Sequence, residues 1–318
     1  MTKTKHWIDL VRIDPLPALL RKAPLPIRYQ AARRFNTQNH EMLERLSYEM
    51  TQYKPRRQLL ESQSDDGSWK IEKKYKIEER NRAMAFLLQL KNMTQLHDYG
   101  CSKEMTQVQK GVIALLKTQK PDGKFPLLLH HHGYALWLLA QYKLIGNPFV
   151  EKGYRWLAKR QRSDGGWISP SMIPTGVSLK TTKSGIWTTL FVFQAFSVHS
   201  RLRHSDTCQK ASEFVLENFL AQNHTTLFPK KDAWNYLYTD YTDNGLFRGG
   251  TLRFIEALAP FAELHSHPNF KKAVNWMLNQ QLDNGLFPAI AGKSKEGDYA
   301  VTLRFLTALK EMDKAENW

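Results

Sequence analysis

Cysteine is almost missing from this 318-residue chain, which has two, Cys101 and Cys208. A disulfide framework and a cysteine-rich zinc site are both excluded, and two buried free thiols are expected. Long apolar runs are missing as well. The longest, LFVFQAFSV at 190–198, falls far short of the roughly 20 residues that span a bilayer. The opening MTKTKHWIDLVRIDPLPALL is basic but broken by Asp9, Asp14 and two prolines, so it lacks the unbroken apolar segment of a secretory signal. Gly/Ser tracts, Pro-rich stretches and long blocks of like charge are absent too, which leaves neither a linker nor a charged tail. These absences lead to the expectation of a cytoplasmic protein, with peripheral contact at a membrane surface as a further option.

What the chain has in excess is positive charge and apolar bulk. Lys and Arg number 46 against 30 Asp and Glu, a formal charge of +16, while 42% of residues are hydrophobic and 12% aromatic. A sizeable core follows, in one large domain or two small ones. The charge favours anionic partners, among them phosphates, acidic membranes, nucleic acid and polyanionic sugars. Basic residues are spread along the chain, as at Arg33 and Arg34, Lys73 and Lys74, Lys230 and Lys231, Lys271 and Lys272. They form no stripe interleaved with exposed aromatics, which argues against nucleic acid as the partner.

Internal repetition is the strongest signal. Four places carry a Gln, two residues, Asp or Asn, Gly, one residue, then Trp or Phe: Gln63 to Trp69, Gln119 to Phe125, Gln161 to Trp167 and Gln281 to Phe287. A fifth copy, Asp243-Asn244-Gly245-Leu246-Phe247, keeps the turn but has Tyr241 in place of the Gln. Each copy follows an amphipathic segment. In NFKKAVNWMLNQQ, for instance, Phe270, Ala273, Val274, Met277 and Leu278 share one helical face. Asp-Gly or Asn-Gly supplies the positive-φ residue that stops a helix, the Gln amide can satisfy helix-end groups, and the aromatic can cover the turn. After each motif comes a helix apolar nearly all round: 83–90, 134–142, 185–196, 251–258 and 302–309. Alternating outer and inner helices, repeated about every fifty residues, predict an all-α ring of five to six helical hairpins, an α/α toroid. The toroid is expected over 55–318, with 1–54 as an N-terminal extension and first helix packed on the ring.

The Gln-x-x-Asp-Gly-x-Trp string, closest in Gln161-Arg-Ser-Asp-Gly-Gly-Trp167, resembles the QW-type repeat of squalene–hopene and oxidosqualene cyclases and of protein prenyltransferase β subunits. The likeness spans roughly 55–312 and implies a central cavity that holds an isoprenoid. Class II cyclases of that superfamily protonate their substrate through an Asp-x-Asp-Asp motif, which this chain does not contain; Asp240-Tyr-Thr-Asp243 has a different spacing. The stretch Lys295-Glu-Gly-Asp298-Tyr299 resembles the one that carries the prenyltransferase zinc-ligand Asp. Ala300 stands where its Cys would be, however, and His267 is the last His. No metal and no cofactor are therefore expected, apart from Mg²⁺ accompanying a bound diphosphate.

Candidate site residues follow from position. Thr-Leu-Arg-Phe recurs at 251–254 and 302–305, so Arg253 and Arg304 are each the main charge in an apolar inner helix. Both are suited to pair with a diphosphate or carboxylate on a cavity wall. The alternative is an i,i+3 pair between Arg253 and Glu256, with Arg304 reaching to the rim. Lys180, Lys183, Lys293 and Lys295 lie in loops that lead into inner helices, where they could gather phosphate or serve as ordinary solvated lysines. Asp298 opens its helix, an N-cap position; with Asp240 and Asp243 it makes up the set of candidate catalytic carboxylates. Trp187, Tyr236, Tyr238 and Tyr299 are candidate ligand-contacting aromatics. Tyr236 and Tyr238 sit in 223–243, a stretch that breaks the repeat spacing by about twenty residues. The His130-His131-His132 run points its side chains in different directions and is not read as a metal site. A protein that handles an isoprenoid or prenyl diphosphate, enzyme or binder, is the leading expectation. A carbohydrate-active toroid on acidic glycans and a non-catalytic scaffold are the alternatives.

Overall fold

A computed structural model of the chain describes residues 7–71, 77–173, 175–221, 231–239 and 249–316. Thirteen helices account for the described fold. The first four are α1 (Leu16–Arg21), α2 (Leu25–Phe35), α3 (His40–Gln52) and α4 (Lys54–Glu61). Then come α5 (Glu78–Asp98), α6 (Thr106–Lys117), α7 (Leu129–Gln141), α8 (Pro148–Ala158) and α9 (Ile186–Ser197). The last four are α10 (Asp206–Glu217), α11 (Gly250–Leu258), α12 (Pro268–Leu278) and α13 (Tyr299–Glu316). A two-residue ladder, Phe287–Pro288 against Gly297–Asp298, is the one named sheet among the described residues.

Burial separates the helices into two layers. Every residue of α9 except Trp187 is buried, as a helix enclosed by others requires. In α12 only Phe270, Ala273, Val274 and Met277 are buried, one stripe facing inward. The inner helices α5, α7, α9, α11 and α13 follow one another around the ring, and α2 packs beside α13. On its other side α2 meets α5, where Gln30 Nε2 donates to the Asp98 carbonyl at 2.9 Å. The described fold is an α/α toroid.

The repeated turns explain how the ring is held. Gln63 Nε2 donates to the Gly67 carbonyl and to the Gln107 carbonyl, each at 3.0 Å. Gln119 does the same to Gly123 and Phe149, and Gln161 to Gly165 and Thr207. In each case the second acceptor is the second residue of the next outer helix, so one amide ties the end of one outer helix to the start of the next. The glycines are required twice over. Gly67, Gly123 and Gly165 have φ of 83°, 102° and 85°, and a Cβ on them would lie 2.1, 2.6 and 2.3 Å from the carbonyl oxygens of Lys110, Lys152 and Lys210.

The fourth turn has no outer helix after it in the sequence. Its Gln281 Nε2 donates to the Gly285 carbonyl and to the Ile13 carbonyl, while Oε1 accepts from the Arg12 and Ile13 N–H groups. The N-terminal segment thus takes the place of the next outer helix.

Candidate functional site

The inner helices share a register that can be read from hydrogen bonds. Thr189 and Thr302 accept, through Oγ1, the backbone N–H of the aromatic that ends the preceding turn, Trp167 at 3.0 Å and Phe287 at 2.9 Å. His132 Nδ1 accepts the Phe125 N–H in the same way at 3.4 Å. The Thr-Leu-Arg-Phe match places Thr251 alongside them. Two residues further on stand Tyr134, Phe191, Arg253 and Arg304; five residues further on stand Trp137, Gln194, Glu256 and Thr307.

These two layers are linked helix to helix. Arg304 donates from Nε and Nη2 to both oxygens of Glu256 on α11, at 2.7 and 2.6 Å. Arg253, 4% exposed, donates to Gln194 Oε1 on α9 at 2.8 Å and lies 4.2 Å from the Phe191 ring centroid. Arg34 of α2 donates to Thr307 Oγ1 on α13 at 2.9 Å. Each arginine therefore reaches back to the preceding inner helix. Burial pulls the Arg34 guanidinium below its usual pKa, opposed by the fields of Asp98 and Glu256. The i,i+3 pair between Arg253 and Glu256 does not form. Glu256 turns to α13 instead, because its carboxylate matches the planar fork of Arg304 with two parallel bonds.

Around the inner-helix N-terminal ends lies an aromatic mouth. Trp187 and Trp234 have ring centroids 4.8 Å apart, and Tyr236 and Tyr238 lie 6.2 Å apart. Trp187, Tyr236, Tyr238 and Tyr299 are all half-buried. The segment that carries three of these residues is anchored by its backbone: Leu237 N–H donates to Ala289, Ala291 N–H to Asn235 and Gly249 N–H to Tyr236. Arg304 adds bonds to the Leu237 carbonyl and the Thr239 hydroxyl. Beside this segment a pocket of about 220 Å³ is lined by Phe219, Trp234, Thr251, Lys272 and Trp276, among others. The Trp234 indole N–H is buried without an acceptor among the described residues.

The remaining candidates are dispersed. Asp298 accepts the Val301 N–H at 2.9 Å, an N-cap contact for α13. Lys180, Lys183, Lys293 and Lys295 are exposed on their loops. Asp240, Asp243 and the fifth Gly turn lie outside the described residues. His130, His131 and His132 are all buried, and burial lowers their pKa, to about 4 for His131 and about 3 for His132. Cys101 and Cys208 are buried, and burial pushes the Cys208 thiol up to about 12. Among the described residues no cluster of His, Cys, Asp or Glu is arranged to hold a metal, and no helix is long and apolar enough to cross a membrane. Sequence reasoning missed Arg34, Gln194 and the Glu256–Arg304 pair. The one available signal for Gln194 and Glu256 was the shared register, five residues past the Thr.

No family model matches the chain, and no curated protein matches it. Solved structures do. A glycosyl hydrolase family 88 protein from Bacteroides vulgatus superposes with a TM-score of 0.52 at 13% identity, covering 91% of this chain and 90% of that one. A polysaccharide lyase gives 0.46 at 13% identity, covering 90% and 87%. The type II terpene cyclase MstE from Scytonema gives 0.41 at 14% identity, covering 88% and 83%. At these identities the likeness extends to the fold alone.

Proposed function

We propose that the chain is an isoprenoid-handling toroid that takes an apolar chain at the aromatic mouth. The observation that carries this reading is the set of half-buried aromatics at the inner-helix N-terminal ends, Trp187, Tyr236, Tyr238 and Tyr299. An apolar ligand laid against them would complete the burial of their faces and gain about 25 cal/mol for each Å² removed from water. The exposed lysines at 180, 183, 293 and 295 suit a diphosphate or carboxylate head, with Mg²⁺ accompanying a diphosphate. Arg253 and Arg304 act in this reading as wall-stiffening groups, because their guanidinium groups are already bonded to Gln194 and Glu256. Titration of the whole chain with farnesyl diphosphate, followed by tryptophan fluorescence, should give saturable quenching, and Trp187→Ala should weaken it about tenfold. Absence of saturable quenching in the wild type discards the reading.

A second reading rests on the polar interior layer. Gln194, Glu256 and Thr307, bonded to Arg253, Arg304 and Arg34 respectively, form a belt of hydrogen-bonded pairs that suits a hydroxylated, acidic ligand such as a uronate polymer. Release of unsaturated products from uronate polymers by purified protein would put this reading first.

A further inference from the structure

We propose that the pocket between α10 and α12 binds a small aromatic carboxylate. The pocket, of about 220 Å³, is walled by Phe219 and Leu220 just past α10, by Lys272 and Trp276 of α12 and by Trp234. Apolar cavities of about 150 Å³ hold benzene, so this one has room for a substituted or fused ring. Leu220 stands exposed at the rim with its backbone left-handed at φ 61°, and a ring seated in the pocket would cover it.

The repeat shows how this place differs from its counterparts. Gly67, Gly123 and Gly165 lie against the carbonyl groups of Lys110, Lys152 and Lys210, each the fifth residue of its outer helix. The fifth residue of α12 is Lys272, and there it lines the pocket. The buried indoles differ too. Trp69 and Trp167 donate from Nε1 to the Leu59 and Leu157 carbonyls of the preceding outer helix, at 3.1 and 2.8 Å. Trp234 stands beside Thr251 as Trp167 stands beside Thr189, its carbonyl accepting from Thr251 Oγ1 at 3.1 Å. Trp234 is 1% exposed, yet its indole N–H meets no acceptor among the described residues.

A buried donor left unpaired costs more than an ordinary hydrogen bond gains, so this wall selects a ligand that brings an acceptor. Of the two charged side chains that line the pocket, Lys272 adds to that preference and Asp232 suits a hydroxyl on the ring. The site goes beyond the isoprenoid reading. Trp234 touches Trp187 of the aromatic mouth, but Phe219, Lys272 and Trp276 belong to the outer layer, and an apolar chain at the mouth has no need of them. Loss of one site therefore does not imply loss of the other.

Calorimetric titration of the whole chain with 2-naphthoate, and separately with 2-naphthylmethylamine, which presents the same ring with a cation, tests the site. Naphthoate is expected to bind saturably, one per chain, and the amine at least tenfold more weakly. Trp276→Ala should weaken naphthoate binding about tenfold, Lys272→Gln at an exposed position about threefold, and the exposed Arg45→Gln not at all. The Trp234 indole N–H resonance, assigned through Trp234→Phe, should move downfield as naphthoate is added to the wild type, a readout that needs no change in affinity. Saturating farnesyl diphosphate should leave naphthoate affinity unchanged, whether or not the mouth takes an isoprenoid. No saturable naphthoate binding, an amine bound as tightly, unchanged affinity in both Trp276→Ala and Lys272→Gln, an unmoved Trp234 resonance, or displacement by farnesyl diphosphate overturns the proposal.

Discussion

Two sides of the inner ring occupy the same register with opposite chemistry. On the α7–α9 side the position two residues past the acceptor of the turn N–H, His132 or Thr189, holds Tyr134 and Phe191, whose rings meet edge to face at 6.1 Å. On the α11–α13 side the same position holds Arg253 and Arg304, and α2 adds Arg34. The described Gln turns that precede α7, α9 and α13 are alike, so they fix the ring without fixing what it encloses. One residue earlier the contrast is steric. Leu190, Leu252 and Leu303 fill that place in three helices, while α7 has Gly133. A Cβ there would lie 2.8 Å from the Phe191 carbonyl oxygen and 2.9 Å from Val192 Cα. Backbone atoms yield little in a packed interior. Gly133→Ala should therefore cost about 3 kcal/mol or more, the largest effect expected here, read from urea unfolding at pH 7. A loss below about 1 kcal/mol would show that the aromatic side is not locked by close packing.

The arginine side should break through charge rather than shape. Glu256→Gln keeps one acceptor for Arg304 and removes the counter-charge. With side-chain exposures of 16% and 22% for Glu256 and Arg304, water screens part of the loss, and about 2 kcal/mol is expected by urea unfolding. Tyr134→Phe, its counterpart on the aromatic side, removes the hydroxyl contact with Thr94 at 3.0 Å and should cost about 1 kcal/mol. If the two variants cost the same at low and at high salt, the interior pair carries no special electrostatic weight, since a partly buried pair resists screening but does not escape it.

The architecture was legible because its signal is local. Gln, Asp-Gly and aromatic sit within seven residues, and their φ and capping needs follow from residue type alone. The amide's second acceptor was not legible, because it lies 44, 30 or 46 residues along the chain. At Gln281 it lies in the N-terminal segment, at Ile13. In the interior, the repeated Thr-Leu-Arg-Phe exposed Arg253 and Arg304, yet helical spacing suggested a partner on the same helix when the partner stands on the neighbouring one. Arg34 was noted only as part of an Arg pair, since α2 carries no turn motif to mark it as an inner helix. Asp298 was legible as an N-cap from its place before an apolar helix.

The smallest effect expected tests why His132 stands where α9, α11 and α13 have Thr. A Thr hydroxyl can accept from the turn and also donate, as Thr302 does to the Asp298 carbonyl at 2.7 Å. Imidazole can accept through Nδ1 only while that nitrogen is unprotonated. His132 is 1% exposed and stacked on Trp156 at 4.9 Å, and burial, aided by the nearby Arg160 charge, lowers its pKa from the ordinary imidazole value of about 6.5 to about 3. The unfolded chain therefore binds a proton below about pH 6.5 that the folded chain refuses until about pH 3. Stability from this group is full above the unfolded pKa and falls as the pH drops through that window. Between pH 7 and pH 5.5 the loss should be about 1 kcal/mol for His132 alone. His132→Thr should lower stability at pH 7, because the stack on Trp156 is lost, while flattening the acid limb of the profile by that amount. His130 and His131, both lowered by burial, keep the remaining acid sensitivity. Urea unfolding of both proteins at several pH values between 5 and 7 decides the matter. Parallel profiles would mean that His132 titrates alike in the folded and unfolded chains, and that the aromatic side of the ring tolerates a charge as readily as the arginine side holds one.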